Sequence, residues 1–266
     1  MHFHPACLLL LALPLAATAA EGDATNTPAA DTAAGNTTAA ATATTTDTAP
    51  ATTEPAWKGS LDAGITDVAG NTRSRTLLGS SRLEGRHGAF SHLIEAGGKN
   101  ISESSLRTAE QYRVAGKESW NMSEADYLFG YLAWDKDRFN GYEWQLTAAA
   151  GYGRKLLHDE RHTLSVEAGP GFRHDELPND DSEDHGLLRA AAQYDLAISE
   201  KSHFLQRLEG EFSEDDTLSR SLTELGYRLN ASLLLSASLE IRRNDNPPAG
   251  TRNSDRTTAI KLGWTF

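Results

Sequence analysis

In "YEWQLTAAAGY", residues 142–152, Tyr142, Trp144, Leu146, Ala148, Ala150 and Tyr152 fall on one side of an extended chain. Glu143, Gln145, Thr147 and Gly151 fall on the other. Successive side chains of a strand point to opposite faces, so this period of two predicts a strand with one apolar and one polar face. The same split recurs in "LSVEAGPGF", "LRAAAQYDLAI" and "SLLLSASLEI". Segments of this kind begin near Trp57, Thr72, Gly88, Leu106, Ala125, Gly141, His162, Gly186, His203, Leu218, Ser232 and Arg256. Most run to about 10–15 residues, against about 5–6 for a strand of a soluble protein. Tilted strands that cross a bilayer need about 9–11 residues, and single-chain bacterial barrels use even strand numbers. The pattern therefore predicts an all-β fold, an antiparallel up-and-down transmembrane β-barrel of about 12 strands, over residues 57–266.

The segments before the barrel read differently. "MHFHPACLLLLALPLAATAA" has an apolar core from Leu8 to Leu15 followed by Ala17, Thr18 and Ala19 in A-x-A spacing. Residues 1–20 are thus expected to be a secretory signal peptide, although its first residues carry His2 and His4 and no Lys or Arg. Cys7 is the one cysteine, and it precedes the apolar core, so removal of the signal leaves no thiol for a disulfide, a metal or a nucleophile. Residues 21–56 are almost entirely Ala and Thr with scattered Pro, Asp, Asn and Gly. Such a stretch has too little apolar surface to offset its ordering entropy and reads as a disordered leader.

Two barrels fit an alternating pattern, a soluble one with an apolar interior and a membrane one with an apolar exterior. Position along the strand separates them. On the apolar face, Ala148, Ala150, Ala190, Ala192 and Ala237 lie mid-segment, and the aromatics Tyr142, Trp144, Tyr152, Phe172, Tyr194 and Trp264 lie nearer the ends. Aromatic girdles at two interfaces mark a membrane barrel. The opposite face carries both signs of charge, including Asp62, Arg113, Glu167, Arg173, Arg189, Arg207, Glu209, Arg242 and Lys261, which would share the lumen. The expected address is the bacterial outer membrane, reached by secretion through the inner membrane. A net charge of −12 excludes nucleic acid as a partner, because binding phosphate depends on Lys and Arg.

With the first strand rising from the periplasm, "SEKS" and "LNAS" are short periplasmic turns. "HDELPNDDSEDH" and "NDNPPAGTRNSD" are long, polar outer loops. The last segment, "AIKLGWTF", places Ile260, Leu262, Trp264 and Phe266 toward lipid. These four residues are the expected assembly signal, read through the terminal aromatic by the barrel-insertion machinery.

At "WKGSLDAGITDVAGNTRSRT" the chain resembles the bacterial salt-induced outer-membrane proteins, through Trp57 and Gly59 entering the first strand, Gly70, Asn71 and Thr72 in the turn beyond it, and the aromatic last strand. The resemblance implies a twelve-stranded-type barrel expressed under osmotic or salt stress. It supplies no catalytic residues and no cofactor.

Three kinds of chemistry suit such a barrel. Asp180, Asp181, Glu183 and Asp184 sit within one acidic run and offer the hard oxygen ligands that Ca²⁺ or Mg²⁺ prefers, beside the lipopolysaccharide of the surrounding membrane. A solvated loop is the plainer reading, since EF-hand order is missing. A lipid hydrolase needs a hydroxyl next to its base. Ser91 and His92, like Ser202 and His203, are sequence neighbours and would point to opposite faces, so the protein is expected not to be an enzyme. A twelve-stranded lumen lies between side-chain-filled barrels and open porins. Its charges are expected to interlock into a plug in a monomer surrounded by outer-membrane lipid and lipopolysaccharide. A narrow pore for small solutes or ions is the alternative, and a lipid-modifying hydrolase the minor one.

Overall fold

The computed structural model describes residues 57–68, 74–103, 106–137, 142–177, 181–247 and 252–266. The expected signal peptide and leader, the Gly70-Asn71-Thr72 turn and Asp180 lie outside the described residues. Among the described residues there are twelve strands: β1 (Lys58–Val68), β2 (Ser74–His87), β3 (Phe90–Glu103), β4 (Leu106–Asn121), β5 (Asp126–Asp137), β6 (Trp144–His158), β7 (His162–Glu176), β8 (Ser182–Ala197), β9 (Ser202–Ser213), β10 (Thr217–Arg228), β11 (Leu233–Asn244) and β12 (Ser254–Thr265). Each pairs antiparallel with its sequence neighbours, and β12 pairs with β1 to close the barrel.

The connections at one end are short. Residues 88–89, 122–125, 159–161, 198–201 and 229–232 join the strands there. In the tightest, Gly88 adopts φ 57°, the left-handed conformation that two-residue hairpins require and glycine adopts without strain. This short-turn end corresponds to the periplasmic side of an outer-membrane barrel. At the far end positions 245–253, within "NDNPPAGTRNSD", separate β11 from β12 as a long connection, whereas the expectation for "HDELPNDDSEDH" is corrected. β7 runs through Glu176 and β8 starts at Ser182, so "HDELPNDDSEDH" is mostly sheet. His174 pairs with Asp184, and Asp175 with Glu183. The acidic run keeps its strand pairing because His and Arg side chains stand between its carboxylates.

Large apolar side chains cover the exterior, from Leu61 and Ile65 on β1 to Ile260, which is 67% exposed, on β12. Trp57, Phe90, Trp120, Tyr227, Trp264 and Phe266 are exposed near the short-turn end, and Tyr112, Phe172 and Phe212 toward the other. A soluble monomer rarely exposes a contiguous apolar patch above a few hundred Å². An apolar belt around every wall, with aromatics at both edges, belongs in a bilayer. Tyr142 departs from the expected face. It precedes β6, is buried, and its hydroxyl accepts a bond from Asn244 Nδ2 at 3.3 Å, while Trp144 stays outside against the His174 ring at 5.1 Å.

The seam explains two residues that the sequence singles out. Gly59 N–H donates to the Phe266 carbonyl at 2.9 Å, and Phe266 N–H donates back to Gly59 at 3.0 Å. The Phe266 ring lies over Gly59 so closely that a Cβ there would sit 2.3 Å from its Cζ. Trp264 packs on the same ring, with centroids 5.0 Å apart. Deleting Phe266 removes both backbone bonds and the ring, and should abolish the heat-modifiable gel shift of the membrane fraction. Gly59→Val only pushes a mobile ring aside and should leave the shift present, with unfolding at a lower temperature. In the turn between β6 and β7, the Asp159 carboxylate accepts backbone N–H bonds from Arg161 at 2.9 Å and His162 at 2.7 Å, which hold its pKa below the usual carboxylate value. Its stabilisation is therefore complete above about pH 4 and is lost as pH falls through the lowered value. Asp159→Asn should flatten the acid limb of stability, measured by thermal unfolding at a series of pH values.

Candidate functional site

The polar face of every strand lines the lumen, and its charges meet across the barrel. In a ring of twelve strands, β5 and β11 stand on opposite walls, as do β3 and β9. Arg242 of β11 nevertheless reaches Asp135 of β5 at 3.1 Å, and Arg207 of β9 reaches Glu95 of β3 at 3.0 Å. These pairs span the lumen from wall to wall.

Further bonds tie the crossing pairs into a layer. Asp135 also accepts from Arg113 at 2.5 Å. Arg242 Nε and Arg220 Nε both donate to Glu240, at 2.9 Å and 3.1 Å. Glu209 receives Arg189 at 3.3 Å, with Arg220 at 3.6 Å and Arg113 at 3.9 Å. Glu167 accepts from Lys117 at 2.5 Å and from the Tyr127 hydroxyl at 2.9 Å. In a medium of low dielectric each charge needs such partners, because an unpaired buried ion costs several kcal/mol.

Beside this layer β5 fills one side of the lumen with apolar bulk. Tyr127, Phe129, Tyr131 and Ala133 are buried together with Ala115 and Ala149. The Arg189 guanidinium lies 3.9 Å from the Tyr131 ring centroid, within cation–π range. Toward the long-loop end, Arg173 and Asp175 have no exposed surface. Arg173 donates to both oxygens of Asp175 at 3.0 Å and to both of Asp216 at 2.8 and 2.7 Å. His185 stands 3.4 Å from Asp175 and 3.4 Å from Asp215.

Two of the spaces within the charged lumen bear on whether it conducts. One, of about 440 Å³, extends from Ser60, Glu84 and Thr265 near the short-turn end up to Arg113, Arg220 and Arg242. The other, of about 100 Å³, lies beyond those three arginines toward the long-loop end, bordered by Tyr142, Asn244 and Arg252. The arginine layer is the shared boundary of both.

Of the residues singled out from the sequence, Ile260, Leu262, Trp264 and Phe266 face outward and Lys261 faces the lumen, bonded to Glu224 at 2.5 Å. The acidic run is not gathered into one loop. Asp184 meets His174 Nδ1 at 2.7 Å, whereas Glu183 is 3.6 Å from the lumen-facing His185. Among the described residues no group of three or more His, Asp or Glu side chains could hold a metal ion. His92 points outward, stacked on Trp57 at 5.7 Å and bonded to Glu118 at 2.5 Å, while Ser91 accepts from Asn121 at 2.8 Å. Sequence reading missed Arg82, Glu95, Lys117, Asp135 and Arg220. In "DYLFGYLAW" both faces are apolar, so the period of two that would have flagged Asp135 is absent.

A family model described as "Protein of unknown function, DUF481" matches residues 61–266. The chain is 29% identical over 211 residues to "Uncharacterized protein YdiY" of Escherichia coli (strain K12), covering 79% of this chain and 83% of that one. Among solved structures it is similar to the NanC porin, with a TM-score of 0.48 at 10% identity, covering 77% of this chain and 98% of that one. It is also similar to the COG4313 outer membrane channel from Pseudomonas putida F1, with a TM-score of 0.47 at 11% identity, covering 79% and 94%.

Arg173→Leu strands two carboxylates, Asp175 and Asp216, without their shared cation. Removing one member of such a buried set typically costs about 3–5 kcal/mol. The variant should lose its folded gel band at a clearly lower temperature than the parent, while Arg252→Gln, at the exposed loop, should not.

Proposed function

The chain belongs to the DUF481 family, and we propose that it serves the outer membrane as a closed barrel with an envelope-adaptation role, its lumen plugged by interlocked charges. One observation carries this reading. Arg242–Asp135 and Arg207–Glu95 join opposite walls, at 3.1 and 3.0 Å, and ion pairs that cross the lumen in this way support a plug. The part played under osmotic or salt stress rests on the resemblance of the first and last strands to the salt-induced proteins. Outer-membrane lipid and lipopolysaccharide are the partners that the apolar belt fits, and no catalytic role is proposed, because the Ser–His neighbours point to opposite sides of the wall.

A narrow pore is the second reading, and it too has a specific observation. Arg113, Arg220 and Arg242 line both the larger chamber and the smaller one. A passage joining the two would run past them.

Planar-bilayer recording of the purified barrel separates the readings. The parent should give no reproducible unitary steps. Arg207→Gln combined with Arg242→Gln removes both wall-to-wall pairs and should produce them. Clean steps from the parent itself would establish the pore reading.

A further inference from the structure

The larger chamber has leftover charges once its ion pairs are matched. Arg82 is held by Glu84 at 2.6 Å and by Glu95, Arg207 by Glu95, Lys261 by Glu224, and Arg220 and Arg242 by Glu240. Arg113 is held by Asp135. Three charged groups on the lining have no such match among the described residues. Lys99 donates to the Thr257 hydroxyl at 2.7 Å and has no carboxylate within 4 Å. Asp62 has a long bond from the Ser80 hydroxyl at 3.4 Å, and Asp195 accepts from the Gln193 amide at 2.8 Å; neither has a cation within 4 Å.

Register places these groups at different depths. Leu78 pairs with both Lys99 and Gly64, and Ser80 pairs with Asp62. Asp62 therefore stands two residues nearer the short-turn end than Lys99, roughly 7 Å along the strand direction. Asp195 lies on the far wall, two residues from the end of β8. The unmatched cation is thus deep, beside the arginine layer, and the unmatched carboxylates are toward the periplasmic mouth.

From this we infer that the chamber is a binding site for a small zwitterion of the short-peptide class, taken up from the periplasmic side with its carboxylate toward Lys99 and its ammonium toward Asp62 and Asp195. Each extended residue spans about 3.3–3.6 Å, so a chain of two residues matches that offset along the strands. A volume of about 440 Å³ lies in the range of small-molecule sites. The ligand supplies at each end the opposite charge that the wall lacks, and buried charges gain most from such pairing. This inference rests on the closed-lumen reading, since an open channel would pass the solute rather than retain it.

The test is calorimetric titration of the full chain, folded in detergent, with the dipeptide Ala-Ala and its blocked forms. Ala-Ala should bind, and N-acetyl-Ala-Ala and Ala-Ala-amide should each bind about tenfold more weakly or worse, the equivalent of about 1.4 kcal/mol. Lys99→Gln should erase the difference between Ala-Ala and its amide while keeping the penalty for acetylation. Asp62→Asn with Asp195→Asn should do the reverse. A heat-modifiable gel shift shows that each variant is folded. Equal binding of all three compounds, or no heat signal from any of them with folded parent protein, overturns the site. Conductance of the same preparation is read separately: steps in the parent would overturn the plug and with it the retention inferred here, whereas silence with no dipeptide binding would overturn the site alone and leave the plug standing.

Discussion

A sheet in hydrocarbon cannot keep a free edge, because lipid offers no partner for the N–H and C=O groups along it. Everything in this barrel follows from meeting that demand. At the seam between β1 and β12 it is met through the reciprocal bonds of Gly59 and Phe266 and the register from Ser60–Thr265 to Ala63–Leu262. The ring of Phe266, lying over a residue without a side chain, covers the first of those bonds from the lipid side.

Closure has a consequence inside. Once the apolar face is turned to lipid, every polar side chain of twelve strands is confined to a narrow lumen, where isolated charges are costly. Pairing across the space is the available remedy. Arg242 and Arg207 are long enough to reach the opposite wall, and carboxylates stand there to receive them. The same confinement explains why β5 can place Tyr127, Phe129 and Tyr131 inside: aromatic bulk fills volume that water would otherwise occupy, and Arg189 rests on it. Interlocked charges and remaining chamber are therefore two outcomes of one constraint. The sectors rich in long side chains interlock, and the sector with Ser60, Ser80, Gly97 and Ala259 leaves space.

Much of this was legible beforehand. The number of strands, their order, the outward face of "AIKLGWTF" and the short turns at "SEKS" and "LNAS" follow from period and turn chemistry. The acidic run reads as a loop from its charge and yet is mostly strand, because a strand rim tolerates carboxylates when His174, His185 and Arg173 alternate with them. Tyr142 broke parity because it precedes the strand, where alternation no longer dictates direction. Asp135 and Glu95 were invisible because their strands, "DYLFGYLAW" and "FSHLIEAGG", do not separate polar from apolar cleanly.

The sequence by itself determined which side of each strand is greasy, how many strands there are and where the chain turns, because these depend on local spacing alone. The tertiary structure decided which charges meet. Arg242 and Asp135 are 107 positions apart, and Arg207 and Glu95 are 112 apart. Only closing twelve strands into a ring brings those walls face to face, so the ion pairs, the layer they form and the charges they leave unmatched are properties of the closed barrel.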